Sequence, residues 1–192
     1  MARRSEAFGR EMTRMTTGEG STRDTARLPA LDRVLVAFFG LFAFTSICME
    51  PYITFGVDLA RATDPLGRAW YFYARTWDPL FLEQPMYMRV MTGIDEWIYG
   101  PMYLVLIYAF LRRREWIRPP ALLYCGAIIY STLVYFLTEF MAEGHRANLA
   151  MVVVVNIPYT IVPCLLAWRM GRPGPIWETR RPRSRGQGFV TI

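Results

Sequence analysis

The chain has 192 residues, a little over half of them apolar and 15% aromatic, and a formal charge of +6 whose basic side is entirely arginine. That length has room for one ordinary domain. The arginines flank apolar stretches rather than lining one amphipathic face, which argues against nucleic acid as a partner and points to membrane topology.

Residues 1–31 form a polar, charged stretch, too long and too hydrophilic for a cleaved signal peptide, and are expected to be a disordered tail. The first apolar run extends from Asp32 to Thr54 and ends near Glu50-Pro51, where the proline removes a backbone donor and kinks or ends the helix. The next segment, Gly56 to Met88, mixes Asp58, Asp64, Asp78 and Glu83 with Trp70, Tyr71, Phe72, Tyr73 and Trp77. Aromatic residues interleaved with charges suit the membrane interface rather than a span.

Three further spans are expected over Arg89 to Leu111, Trp116 to Met141 and Ala147 to Trp168. A bilayer core of about 30 Å needs about 20 apolar residues per helix, so each is long enough. The fold class is therefore an all-α membrane protein, a four-transmembrane-helix bundle over residues 32–170 with an intramembrane ligand pocket. Residues 171–192, rich in Pro, Gly and Arg, are expected to be a disordered basic tail. Arginines concentrate in the two tails and in RRREWIR, which places both termini in the cytoplasm.

Cys48, Cys125 and Cys164 fall in apolar segments without the spacing of a disulfide framework or metal site, and are expected in the core. No phosphate loop, nucleophile elbow or cofactor motif is present. His145, in the short connection EGHRAN, reads as a surface residue.

Ionisable side chains inside a bilayer cost several kcal/mol and mark function by default. Glu50 near the end of the first span, Asp95 and Glu96 in the second, and Glu139 late in the third fall at similar depth. Convergent carboxylates can share a proton and so carry out acid and base chemistry on an apolar substrate. Glu50 and Asp95 are the catalytic candidates; Glu96 and Glu139 equally suit an interfacial position from which they reach water. Tyr99, four residues after Asp95, is placed to orient that acid. Gly100-Pro101 then permits a bend, and Asn156, Tyr159 and Pro163 share one stripe of the last helix. Asn156 in MVVVVNIPYTIV needs a partner, either a neighbouring helix or a ligand.

The stretch WYFYARTWDPLFLEQP, followed by Asp95, Pro101, YAFL and WIRPPALLY, resembles the sigma-two receptor branch of the EXPERA superfamily. YGPMYLVLIYAFLRR, YFLTE and N-x-x-Y-x-x-x-P resemble its emopamil-binding-protein branch of sterol double-bond isomerases, and the combined likeness runs from about Leu35 to Arg169. What the resemblance implies is a four-helix fold around a pocket open to lipid, often as a homodimer, in the endoplasmic reticulum of a eukaryote or the inner membrane of a bacterium. It implies sterol or cationic amphiphile ligands and no cofactor. Glu50 matches the acidic residue closing the first helix in both branches, and Asp95 matches the acid of the sigma-two branch. Asn156 matches the isomerase asparagine and Tyr159 stands for its tryptophan, whereas Ser46 and Thr92 replace its histidine and second glutamate. The substrate-binding set is then Ser46, Thr92, Tyr99, Glu139, Asn156 and Tyr159.

Two functions follow. One is a double-bond isomerase, or its variant a proton-initiated terpene cyclase, acting on a sterol or isoprenoid lipid through Glu50 and Asp95. The other is a non-catalytic lipid-binding or trafficking protein in which the pair recognises a polar head. A weaker third reading uses the pair for helix association.

Overall fold

The computed structural model describes residues 28–143 and 146–177. His145 and most of both expected tails lie outside them. Four helices are long and apolar enough to cross a membrane: α1 (Ala30–Thr54), α4 (Met86–Leu111), α5 (Glu115–Met141) and α6 (Leu149–Gly171). Two shorter helices, α2 (Pro65–Thr76) and α3 (Leu80–Glu83), connect α1 to α4. The described residues thus form an all-α four-helix membrane protein, and each span starts and ends close to where the hydropathy places it.

Helix α1 packs along α4, and α5 along α6. Leu35, Phe39 and Phe42 recur at helical spacing and bury one face of α1 against Tyr103, Leu106 and Phe110 of α4. Phe39 meets Phe110 edge-on with ring centroids 5.8 Å apart, a favoured arrangement of aromatic quadrupoles. This apolar cluster fills the bundle around the start of α1 and the end of α6. A second cluster, with Ile53, Ala74, Phe81 and Met88, fills the opposite, distal end under α2 and α3.

Three of the four spans contain a π-helical turn: Thr45–Met49 in α1, Asp95–Tyr99 in α4 and Glu139–Glu143 at the end of α5. The first two arise in the same way. Glu50 N–H bonds back five residues to Thr45, Gly100 N–H bonds back five residues to Asp95, and a proline without an N–H follows each. The proline cannot continue the regular ladder, and the widened turn before it absorbs the mismatch. Pro51 therefore neither ends nor sharply breaks α1, which runs on to Thr54. Helix α6 is interrupted at Ile157-Pro158 at a corresponding level.

Two expectations are corrected. Cys48 and Cys164 point outward and only Cys125 is buried, because the lipid-facing surface of a membrane bundle is as apolar as its core. Residues 172–177, expected to be disordered, fold back onto the bundle. Trp177 is buried against Phe110, its indole N–H donates 3.0 Å to Asp32, and the backbone N–H groups of Ile176 and Trp177 donate to the Glu115 carboxylate. Trp70 and Tyr73, in the segment expected at the interface, face the bundle from α2.

Candidate functional site

Helix α2 begins where Asp64 caps it, accepting the Gly67 N–H at 2.9 Å, with Pro65 in the first turn. The Tyr52 hydroxyl also donates to Asp64, tying α2 to the end of α1. The Gly67 N–H first, and then the Tyr52 hydroxyl, hold the Asp64 carboxyl below its ordinary range. Trp70 and Tyr73, three residues apart, share the inward face of α2. The Trp70 indole donates 2.7 Å to the Met49 carbonyl, an oxygen of the π turn just before Glu50.

Beneath α2 lies a cavity of about 250 Å³ with walls from all four spans. Its lining is mainly apolar and aromatic, including Met88, Met91, Ile128, Phe81 and Val155. Set into that lining are Glu50, directly after the π turn of α1, and Asp95, which opens the π turn of α4 packed against it. They lie within electrostatic range of each other. Glu50 Oε2 and Asp95 Oδ1 are buried with no hydrogen-bond partner among the described residues. Gly100 permits this approach of α1 to α4: a Cβ there would sit 2.9 Å from Ile47 Cγ1.

Asn156 and Tyr159 reach the same cavity from α6, and Thr92 from α4. Tyr159 stacks on Phe42 with centroids 4.2 Å apart and shares a 2.7 Å hydrogen bond with Thr45. Asn156 Nδ2 donates to the Val152 carbonyl at 2.9 Å and reaches the Tyr73 and Tyr135 hydroxyls at 3.3 and 3.5 Å. Tyr135 in turn donates to the fully buried Asp78. Burial, and then the nearby Asp78 charge, push the Tyr73 hydroxyl above its ordinary range and keep it protonated.

Of the candidates named from sequence, Glu50, Asp95, Thr92, Asn156 and Tyr159 therefore share one cavity. Ser46 is buried behind the wall beside Glu50. Glu139 is fully buried within charge range of Tyr73 and Tyr135, but it does not line the cavity. Tyr99 packs edge-on against Tyr124 in the apolar cluster, and no hydrogen bond joins it to Asp95. The extra residue of the π turn changes the register on which the four-residue spacing relied. Glu96 is half-buried and has a buried oxygen without a hydrogen-bond partner among the described residues.

The wall also contains Thr45, Trp70, Tyr73 and Tyr135, which the sequence reading did not single out. The spacing of Trp70 and Tyr73 on one face of an amphipathic helix was the available signal for that pair.

The family model for EBP, described as EXPERA (EXPanded EBP superfamily), matches residues 65–170, more than half of the chain. The chain belongs to the EXPERA superfamily. Among curated relatives, it is 26% identical over 151 residues to "Isomeliandiol synthase ISM1" of Ailanthus altissima, covering 72% of this chain and 70% of the relative. It is 22% identical over 146 residues to a "Probable 3-beta-hydroxysteroid-Delta(8),Delta(7)-isomerase" of Arabidopsis thaliana, covering 72% of this chain and 65% of the relative. The EXPERA match takes in α2, α3, α4, α5 and nearly all of α6 and so contains Asp95, Thr92, Asn156 and Tyr159 of the cavity. Glu50 and Thr45 lie on α1, before the matched stretch begins.

Proposed function

We propose that this EXPERA protein is a membrane-embedded enzyme that shifts a carbon–carbon double bond in a sterol or isoprenoid lipid, with Glu50 and Asp95 as its proton-handling pair. The observation that carries the reading is two carboxylates from separate spans in one apolar, aromatic cavity, each with a buried oxygen lacking a hydrogen-bond partner. Two nearby carboxylates removed from water cannot both ionise cheaply, so the pair retains a proton.

In the proposed reaction, the protonated member transfers its proton to one alkene carbon, and the π electrons form the new C–H bond. The adjacent carbon becomes cationic. The ionised member then removes a proton from a carbon on the far side of the cation, and that C–H pair becomes the relocated double bond. The substrate keeps its formula and the pair keeps one proton, now on the other carboxyl. Oxygen lone pairs and aromatic faces around the cavity stabilise the cation. A hydroxysteroid suits the cavity by analogy with the name of the Arabidopsis thaliana relative.

Both termini are proposed to face the cytoplasm, in the endoplasmic reticulum of a eukaryote or the inner membrane of a bacterium. The second reading, a non-catalytic lipid-binding protein, draws support from Ser46 and Thr92, which stand where the isomerase resemblance has a histidine and a glutamate. Incubating the purified protein with sterol alkenes and resolving positional isomers by gas chromatography separates the two. Isomer formation abolished in Glu50→Gln and Asp95→Asn supports the enzyme; lipid that binds and returns unchanged supports the carrier.

A further inference from the structure

A π turn disturbs the regular pairing of backbone groups, and the turn before Glu50 is followed by a proline, which brings no N–H to restore it. Glu50 N–H is used on Thr45 at 3.0 Å. The N–H groups of Ile53 and Thr54, four and five residues after Met49, both donate to the Glu50 carbonyl, at 2.9 and 3.0 Å. The Met49 carbonyl is met from another helix instead: the Trp70 indole of α2 donates to it at 2.7 Å. A backbone oxygen of α1 thus takes its hydrogen bond from an α2 side chain, at a depth where water is not at hand to supply one.

This contact falls where α1 carries its carboxyl. The Met49 carbonyl and the Glu50 N–H belong to one rigid peptide plane, so a shift of that oxygen turns the plane from which the Glu50 side chain departs. The indole is itself fixed, edge-on to Tyr73 with ring centroids 5.7 Å apart and tilted against Phe81 at 4.7 Å. Two residues beyond Glu50, the Tyr52 hydroxyl ties α1 to the Asp64 cap of α2, and a Cβ at Gly67 would stand 3.0 Å from the Tyr52 ring. Farther on, Thr54 donates to Thr92 of α4 at 3.1 Å. The side-chain ties beyond Glu50 hold the end of α1, while Trp70 holds the backbone directly before it.

We infer that Trp70 is a positioning residue for Glu50: its N–H fixes the peptide plane before the acid, so that Glu50 meets Asp95 in working geometry while α2 is seated over the cavity. The inference rests on Glu50 and Asp95 being the proton-handling pair, as proposed above. A displacement of about 1 Å in a reacting group can cost about a hundredfold in rate. The remaining ties of α1 limit the movement here, and a loss of about tenfold is expected. Ring packing on the lipid is separate from this role, because it does not need the N–H.

The test uses the full chain in lipid nanodiscs with the Trp70 indole replaced by benzothiophene, which keeps the ring and puts sulfur in place of the N–H. Trp70→Phe is the second variant. Hydrogen exchange over residues 45–55 should quicken about fivefold in both, the worth of one net hydrogen bond, while exchange over residues 100–111 stays within about twofold. Turnover of a sterol alkene should fall about tenfold, whereas cholestanol, which has no alkene, should lose less than about threefold in competition against a photoreactive sterol. Tyr52→Phe frees the start of α2 and leaves the indole in place; it should speed exchange over residues 65–69 and alter turnover by less than about twofold. Unchanged exchange over residues 45–55 with the benzothiophene, turnover that falls only as far as affinity, or an equal turnover loss in Tyr52→Phe would overturn the inference. A native chain that binds cholestanol but leaves the alkene unshifted would overturn the isomerase reading, and exchange over residues 45–55 would still decide whether Trp70 holds the turn.

Discussion

Replacing Asp32 with alanine removes the acceptor on which the proximal end of the bundle converges. Asp32 is fully buried; its Oδ1 accepts from Arg169 Nε at 3.1 Å, and its Oδ2 accepts from Arg169 Nη2 at 3.4 Å and from the Trp177 indole at 3.0 Å. Truncating one partner of a buried ion pair costs about 3–5 kcal/mol. The Arg169 side chain is 14% exposed and keeps its bond to the Ile176 carbonyl, so part of its charge can be resolvated. The expected loss is then about 2–4 kcal/mol, with the indole hydrogen bond contributing about 1 of it. Asp32→Asn, which preserves shape and one acceptor oxygen, should cost about half as much. Reversible unfolding in mixed SDS and non-ionic micelles measures both variants, and limited proteolysis after Gly171 reports release of the Trp177 segment. A cycle with Arg169→Met should show coupling of more than about 1 kcal/mol, since contacting partners are not additive. Glu50 lies 18 residues along α1 from Asp32, about 27 Å at 1.5 Å per residue, so binding in the cavity should survive in the folded fraction. Unchanged stability in Asp32→Ala, or additivity in the cycle, would refute the reasoning.

Gly100→Ala should separate α1 from α4 at the acid pair, since its Cβ meets Ile47 Cγ1 at 2.9 Å. Overpacking of about 1–3 kcal/mol, set against about 1 kcal/mol of gained helix propensity, leaves a modest net loss that Ile47→Ala should relieve in the double variant. Trp70→Phe removes the donor to the Met49 carbonyl; about 1 kcal/mol of stability and a faster lipid off-rate are expected, read by unfolding and by dissociation of a fluorescent sterol. Acid should loosen α2. Asp64 and Glu83 are held below the ordinary carboxylate range, by the Gly67 N–H with the Tyr52 hydroxyl and by Arg146 respectively. A depressed folded pKa contributes stability above the ordinary value of the group, 3.8 for Asp64 and 4.5 for Glu83, and that stability is lost as the pH falls through and below it. Hydrogen exchange in residues 65–76 should therefore accelerate below about pH 4 in the native chain, and Asp64→Asn should remove much of that dependence.

The four spans were legible because continuous apolar runs of membrane length have few other uses, and Glu50 and Asp95 stood out because charge is rare in such runs. Which face each helix turns inward was harder to read. Lipid and core select the same residues, so Cys48 and Cys164 carried no sign of their outward direction. The segment that holds α2 was legible as interfacial but not as a helix that covers a cavity, because charged and aromatic residues alternate at the interface and over a cavity alike. Tyr99 was placed on an α-helical register that the π turn over Asp95–Tyr99 changes. The docking of Ile176 and Trp177 depends on Asp32, Glu115 and Arg169, far away in sequence, while the local Pro, Gly and Arg composition gives no hint of it.

The measurement that bears most directly on the acid pair is deuterium uptake from heavy water into a sterol alkene and its isomer, followed by mass spectrometry for the native chain, Glu50→Gln and Asp95→Asn. The account predicts one deuterium placed at the protonated carbon by the native protein and none above background by either variant, with lipid binding retained. Binding without deuterium in the native protein, or uptake undiminished in both variants, would contradict it.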